Sequence, residues 1–177
     1  MTTQSYLNEY FNNTWRHRNR SFDQYQYSGW ALLDQVKPTE QVLDVGCGDN
    51  PFKGKLDVFG IDPAFPEADY YGTIESYAAI ADAKYDVAFC LGSINFGTQA
   101  NIEQQIAAVL SLLKPGARIY WRCNPGSQDH GNAECEEIDF YPWSIAEHVR
   151  LCDLFGCKLS ECRWDTKNRL YAVWLTA

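Results

Sequence analysis

The stretch Val42-Leu43-Asp44-Val45-Gly46-Cys47-Gly48-Asp49-Asn50-Pro51 decides the reading of this chain. Its first residues continue a run that starts at Gln41. The run is short, apolar and closed by glycine, the pattern of a strand covered on both faces. The two glycines fall at the strand's carboxyl end, where a backbone without Cβ admits a ligand and its amides can meet an anionic group. Asp44 is the more informative residue. A carboxylate inside a buried strand is costly unless it meets a cation or hydrogen-bond donors, and an ammonium-bearing ligand supplies both. Gly-x-Gly by itself is a weak motif. A nicotinamide-binding fingerprint would place a third glycine where Pro51 stands and an acid about 20 residues further on, whereas Asp62 follows Gly48 by only fourteen positions.

On either side of this segment, short apolar runs alternate with helical patterns or turns, which predicts an α/β fold: a doubly wound, Rossmann-like sheet. Seven strands are expected, at Gln41–Val45, Leu56–Ile61, Tyr70–Ile74, Tyr85–Leu91, Ala117–Cys123, Lys158–Trp164 and Arg169–Thr176. Most should run parallel. The last two are joined by the turn-rich Asp165-Thr166-Lys167-Asn168 and should form an antiparallel C-terminal hairpin. Ile102, Ile106, Val109, Leu110 and Leu113 make a helical stripe that stops at Lys114-Pro115-Gly116. Ser144-Ile145-Ala146-Glu147 reads as a capping box opening a helix to about Phe155, closed by Gly156. A further helix is expected near Tyr25–Val36. Only about eight residues separate Gly48 from the second strand, fewer than a helical crossover needs, so the first crossover helix must shrink to a turn. No repeat or linker divides the 177 residues, and one domain is expected over 1–177, with 1–40 a helical cap or lid and 41–177 the sheet core.

The chain is 46% hydrophobic, 15% aromatic and of negative mean hydropathy. No run reaches the ~18 apolar residues of a membrane span, and the start lacks a secretory pattern, so a soluble, cytoplasmic protein without a membrane partner is expected. A net charge of -8 argues against nucleic acid as a partner, because backbone binding draws on clustered Lys and Arg. The cluster Arg16-His17-Arg18-Asn19-Arg20 reads as a solvated helix end or loop. Seven cysteines without C-x-x-C spacing read as unpaired thiols packed as small hydrophobes. His130, Glu134 and Cys135 lack convincing ligand spacing, so no metal is expected.

With these residues in view, the chain resembles the class I S-adenosylmethionine-dependent methyltransferases, in particular small single-domain members, from about Trp30 to Ala177. The motif Val42-Leu43-Asp44-Val45-Gly46-Cys47-Gly48 is the most specific part. Val58-Phe59-Gly60-Ile61-Asp62, Tyr85 to Leu91, Leu112 to Ala117 and the closing hairpin follow in the family's order. The resemblance implies S-adenosyl-L-methionine as methyl donor and S-adenosyl-L-homocysteine as product. By position it implies that Gly46, Cys47 and Gly48 pack on the methionine moiety, that Asp44 lies near its ammonium, and that Asp62 takes the ribose hydroxyls. Leu91 and Gly92 would give backbone contacts to the amino-acid part. Thr73 stands where the family often has an Asp beside the adenine, and Ile74 would cover the adenine face. With so short a crossover, Lys53 or Lys55 is expected to help hold the ligand carboxylate.

Leu91-Gly92-Ser93-Ile94-Asn95-Phe96 carries no acceptor signature of the nucleic-acid methyltransferases. A small molecule or biosynthetic intermediate is the expected acceptor, and no oligomeric state is implied. Candidate pocket residues lie at the carboxyl ends of the fourth and fifth strands: Ser93, Asn95, Asn124, Asp129 and His130, with Tyr25, Tyr27 and Tyr141 as lid aromatics. His130, Asn95 and Tyr141 are the catalytic candidates, His130 as a base. Two other readings stand beside this one: a non-catalytic module or partner subunit that keeps the fold, and, disfavoured by Asp44, Pro51 and the hairpin, a nicotinamide-dependent enzyme.

Overall fold

The computed structural model describes residues 3–15, 29–123, 138–165 and 169–177. Strands β1 (Gln41–Val45), β2 (Asp57–Asp62), β3 (Tyr70–Tyr71), β4 (Tyr85–Leu91), β5 (Leu113–Cys123), β6 (Lys158–Trp164) and β7 (Leu170–Leu175) form one sheet in the order β3-β2-β1-β4-β5-β7-β6. The pairs β3·β2, β2·β1, β1·β4 and β4·β5 are parallel; β5·β7 and β7·β6 are antiparallel. Chain order reverses between β1 and β4, so the crevice outside their carboxyl ends is where a doubly wound sheet binds ligands.

Three helices lie in the second half or beside the sheet: α2 (Ile74–Ala78), α3 (Gln99–Ser111) and α4 (Ile145–Phe155), preceded by α1 (Thr3–Glu9) at the start of the chain. The apolar stripe of α3 buries Ile102, Ile106 and Val109. Thr98 and Asn101 close a capping box at its start, a cap the sequence did not announce because Asn replaces the usual Glu or Gln. Ser144 caps α4 by accepting from the Glu147 amide, and Gly156 ends it in the left-handed region at φ 68°, as the Ser-x-x-Glu and Gly signals predict. The larger core lies between the sheet and α3 and α4, with Trp121, Trp143 and Trp174 almost wholly buried. On the opposite face Leu32, Phe52, Phe89, Tyr120 and Val173 close a second core.

Four expectations change. The third strand stops at Tyr71, and Thr73 instead caps α2 by accepting from the Ser76 amide, so Thr73 and Ile74 belong to a helix start. The expected helix near Tyr25–Val36 is a 3-10 helix, Gly29–Gln35, over its described part. Within 1–40, read as a helical cap or lid with a helix placed only near Tyr25–Val36, α1 is continued by a π-helix, Tyr10–Trp15. β5 begins before its Pro115-Gly116, which sit where its register against β4 breaks between Tyr85 and Val87, the place a strand tolerates proline.

Candidate functional site

The β1–β2 connection sets the site. It contains no helix at all, and its turns close on themselves: Asn50 donates to Cys47 O, Lys53 to Asn50 O and Leu56 to Phe52 O. Asn50 adopts φ 57°, a left-handed conformation that Asn tolerates better than most residues. Asp69, from the loop before β3, holds this compact hairpin against the sheet. Its carboxylate accepts from the Gly60 amide at 2.8 Å, from Asn50 Nδ2 at 3.1 Å and from Lys53 Nζ. Burial acts to raise the Asp69 carboxyl, but these donors outweigh it and hold it below the usual value. Gly60 is required here, because a Cβ would come within 2.6 Å of Asn50 Oδ1 and 2.8 Å of Cys47 Sγ.

This arrangement alters the roles expected of the loop. Gly46 and Cys47 both donate their amides to Ile61 O, at 2.8 and 3.0 Å, and the Gly48 amide donates to Asp62 Oδ2 at 2.9 Å. The amides expected to face an anionic group are thus used in fastening the loop to the end of β2. Without a following helix to carry the chain away, the loop turns back on that strand. The expected lysine roles are likewise replaced: Lys53 is paired with Asp69, and the Lys55 ammonium lies 5.1 Å from the Trp30 ring centroid.

The acids remain. Asp44 is 4% exposed, and its carboxyl makes no hydrogen bond or ion pair among the described residues. Burial, reinforced by the charge of Asp62, pushes its carboxyl up to about 7. Asp62 is also buried, and its oxygens accept from the amides of Gly48 and Ala64. Burial raises its pKa, opposed by the amides of Ala64, Gly48 and Phe65. The backbone therefore fixes this carboxylate while each oxygen keeps further accepting capacity. Close by, Gly46 at φ 72° packs so tightly on Ser93 that a Cβ would overlap the serine Cβ. The Ser93 hydroxyl is buried with no hydrogen-bond partner among the described residues. An uncompensated carboxyl and an unpaired hydroxyl at the carboxyl ends of β1 and β4 are what an ammonium donor would satisfy, so the residues present fit the amino-acid part of an adenosyl ligand.

Leu91 ends β4, and Gly92 follows at φ 82°, donating its amide to Arg122 O at 2.8 Å. Beyond it, Asn95 is 1% exposed, and its carbonyl accepts the Tyr141 amide at 2.6 Å, so two of the catalytic candidates are brought together. The Tyr141 hydroxyl donates to Glu147. Burial first, and that carboxylate second, push the phenol up to about 12, which removes it as a base near neutral pH. Thr73 is occupied in capping and Ile74 is buried in the core. Cys47 is a buried free thiol, as are Cys90, Cys123 and Cys152, while Cys157 and Cys162 are half-buried; burial holds the Cys47 thiol well above its usual value. His130, Asn124, Asp129, Glu134, Cys135, Tyr25, Tyr27 and the Arg16–Arg20 cluster lie outside the described residues.

His148 was not singled out by the sequence and is fully buried in the larger core. Its Nδ1 accepts from Trp174 Nε1 at 3.1 Å, and its ring stacks on Trp143 at 4.5 Å. Burial lowers it to about 3, a neutral packing residue and no proton carrier. Asp69 and Arg122 were also missed. The signal for Arg122 was present: it is a charge in an apolar strand run, the same reason that picked out Asp44.

The chain has the fold of the S-adenosylmethionine-dependent class I methyltransferases. No protein-family model and no curated protein matches the sequence. The structure superimposes on magnesium protoporphyrin IX methyltransferase from Synechocystis PCC 6803 with bound SAM (TM-score 0.67, 14% identity, 100% of this chain and 98% of that one). It is similar to the 1,6-didemethyltoxoflavin-N1-methyltransferase of Burkholderia thailandensis (0.71, 14%, 99% and 87%), solved with 1,6-didemethyltoxoflavin and S-adenosylhomocysteine. It is also similar to CalS10, an amino pentose methyltransferase from Micromonospora echinaspora solved with SAM (0.64, 18%, 93% and 95%). No helix among the described residues is long and apolar enough to cross a membrane.

Proposed function

We propose that this protein binds S-adenosylmethionine at the carboxyl ends of β1, β2 and β4 and transfers its methyl group to a small-molecule acceptor. The observation that carries the reading is the pair of buried acids. Asp44 awaits a cation, and Asp62 is oriented by backbone amides at the end of the neighbouring strand. The fold neighbours were solved with SAM or S-adenosylhomocysteine bound and include enzymes named for small acceptors, which supports the assignment.

When bound, the sulfonium supplies an already activated methyl group. The chain's contribution is positioning. Asp44 and Ser93 Oγ would hold the ammonium, Asp62 the ribose hydroxyls, and Leu91 and Gly92 would border the amino-acid part. Holding acceptor and donor in register can supply most of such a reaction's acceleration, so the lack of a base among the described residues is compatible with turnover. Asn95, under the Tyr141 backbone, would orient the acceptor through its side-chain amide.

Calorimetry with SAM, S-adenosylhomocysteine and NAD tests the reading. Micromolar binding of the adenosyl ligands without NAD binding is expected, and Asp62→Ala should weaken S-adenosylhomocysteine at least tenfold, about 1.4 kcal/mol. A folded protein that binds neither adenosyl ligand would sink it. The absorbed loop amides favour one alternative, a partner subunit that keeps the fold without catalysis. Binding with no methyl transfer to any component of a metabolite extract would shift the assignment there.

A further inference from the structure

The two edges of the sheet differ. At one, β3 is only two residues long, too short to offer another strand a ladder. At the other, β6 runs for seven residues, and Lys158, Ser160, Glu161, Arg163 and Trp164 are all exposed. An uncovered strand of this length presents a row of backbone donors and acceptors to a second chain. Its register against β7 shifts between Leu159 and Glu161, beyond which residues 161–164 pair regularly with 170–173. Opposed residues in an antiparallel pair share a face. Cys162 and Trp164, opposite Ala172 and Leu170, therefore lie on the face covered by α4, while Glu161, opposite Val173, and Arg163 lie on the other.

Around Cys162 this edge is self-complementary. In an antiparallel pair of two β6 strands centred on Cys162, Glu161 of each copy stands opposite Arg163 of the other, which makes two pairs of unlike charge. Centring on Glu161 or on Arg163 would oppose like charges instead. Within one copy Arg163 Nη2 lies 3.6 Å from Glu161 Oε2, with both side chains more than two-fifths exposed, a loose pair that a second strand can share. The flank of α4 agrees with the same axis. Arg150 turns one side of the helix toward Glu103 of α3. Ile145 and Val149, a turn apart and 42% and 44% exposed, are on the opposite side, beside β6, where Trp164 is 43% exposed. A two-fold axis through Cys162, perpendicular to the sheet, keeps both copies of α4 on one face and turns these apolar flanks toward each other. With paired strands about 4.8 Å apart, the two helices come within the roughly 10 Å at which helices pack.

We infer that β6 is a self-association edge, through which two copies of this chain pair antiparallel about Cys162 and extend one sheet across both. Glu161 and Arg163 meet on one face, and Ile145, Val149 and Trp164 on the other. The contact is isologous and closed, so assembly stops at the dimer. β6 runs in the same direction as β5, so an antiparallel copy points its carboxyl edge the opposite way and the two candidate donor sites open on opposite sides. The inference is therefore independent of the transferase reading.

Sedimentation equilibrium of the full chain over a concentration series tests it. A reversible monomer–dimer equilibrium in the micromolar range is expected. Glu161→Arg and Arg163→Glu should each weaken it at least tenfold, with the far-ultraviolet circular dichroism unchanged. Mixed in equal amounts, the two variants should form a heterodimer within threefold of the affinity of the unaltered protein, because each sets its like charges opposite the other's. A same-strand role of the ion pair would not restore that contact. A short bismaleimide should join two copies of the unaltered protein, and Cys162→Ser should remove the link while leaving the dimer. A protein that is monomeric at every concentration overturns the inference, and the charges and the bulge are then guards of the edge. A dimer that either charge reversal leaves intact, variants that fail to recombine, or a thiol link that is absent or survives Cys162→Ser, overturns it as well by placing the contact elsewhere.

Discussion

Asp44 concentrates the chemistry of the site in one ionisable group. Its carboxyl is raised from 3.8 to about 7, so it contributes no penalty to the folded state below about pH 4; the penalty accumulates as pH rises from about 4 to about 7 and is fully present above that. At about 1.4 kcal/mol for each tenfold, ionisation costs the unliganded fold about 4 kcal/mol by pH 8. An ammonium reverses the sign, because it binds the ionised form. S-adenosylhomocysteine affinity should therefore rise by up to about tenfold between pH 6 and pH 7.5. Asp44→Asn should flatten that profile, weaken binding and raise the melting temperature at pH 8 but not at pH 4. Its gain should fall short of 4 kcal/mol, since the buried amide is itself unpaired. A variant whose pH profile matches that of the unaltered protein would remove Asp44 from the site. At this scale the sequence was most legible where a residue breaks its local pattern. Asp44 in an apolar run was recognisable; Asp69, an ordinary loop acid by every sequence criterion, was not, because its three donors converge only in the fold.

At the scale of elements, the short crossover explains why the site is built as it is. A helix after β1 would normally present free amides, and its loss leaves a hairpin that needs its own fastening. Asp69 provides it by bonding the connection at two residues, Asn50 and Lys53, and β2 at Gly60. Asp69→Ala should cost about 2 to 3 kcal/mol, the range for an interaction with charged partners plus one buried amide left unpaired, and should weaken S-adenosylhomocysteine through the displaced loop. Urea midpoints measured beside calorimetry check both effects. Gly60→Ala should be at least as damaging, because its Cβ meets Asn50 and Cys47, whose loop backbone is anchored to Ile61 O. Wild-type stability in Gly60→Ala would show that the hairpin is looser than drawn. Strand and helix limits were legible at the terminators Gly46, Gly92 and Gly156, but not at Pro115-Gly116, which lie inside β5, so that Leu113 belongs to the strand and not to the helical stripe. They blurred where Thr73 acts as a cap without the companion acid that marks a capping box, and in the aromatic N-terminal segment, where neither period dominates.

The whole molecule divides its stability and its function between the two faces and one edge of the sheet. The tryptophan-rich core under α4 lies on one face, while the candidate donor residues gather at the carboxyl edge around β1. Ligand binding and core packing should therefore act additively. At a hundredfold excess over its dissociation constant, S-adenosylhomocysteine should stabilise the fold by about 2.7 kcal/mol, or about 5 to 11 °C for a domain of this size. Leu151→Ala, a fully buried side chain, should lower the melting temperature through a cavity costing about 2 to 5 kcal/mol, yet leave that ligand-induced rise unchanged. Asp62→Ala should lose most of the rise, whatever stability it also loses through the Gly48 and Ala64 amides left without their acceptor. Scanning calorimetry of the three proteins with and without ligand separates the cases. A rise that disappears in Leu151→Ala would mean that the core beneath α4 and the ligand edge are energetically one unit.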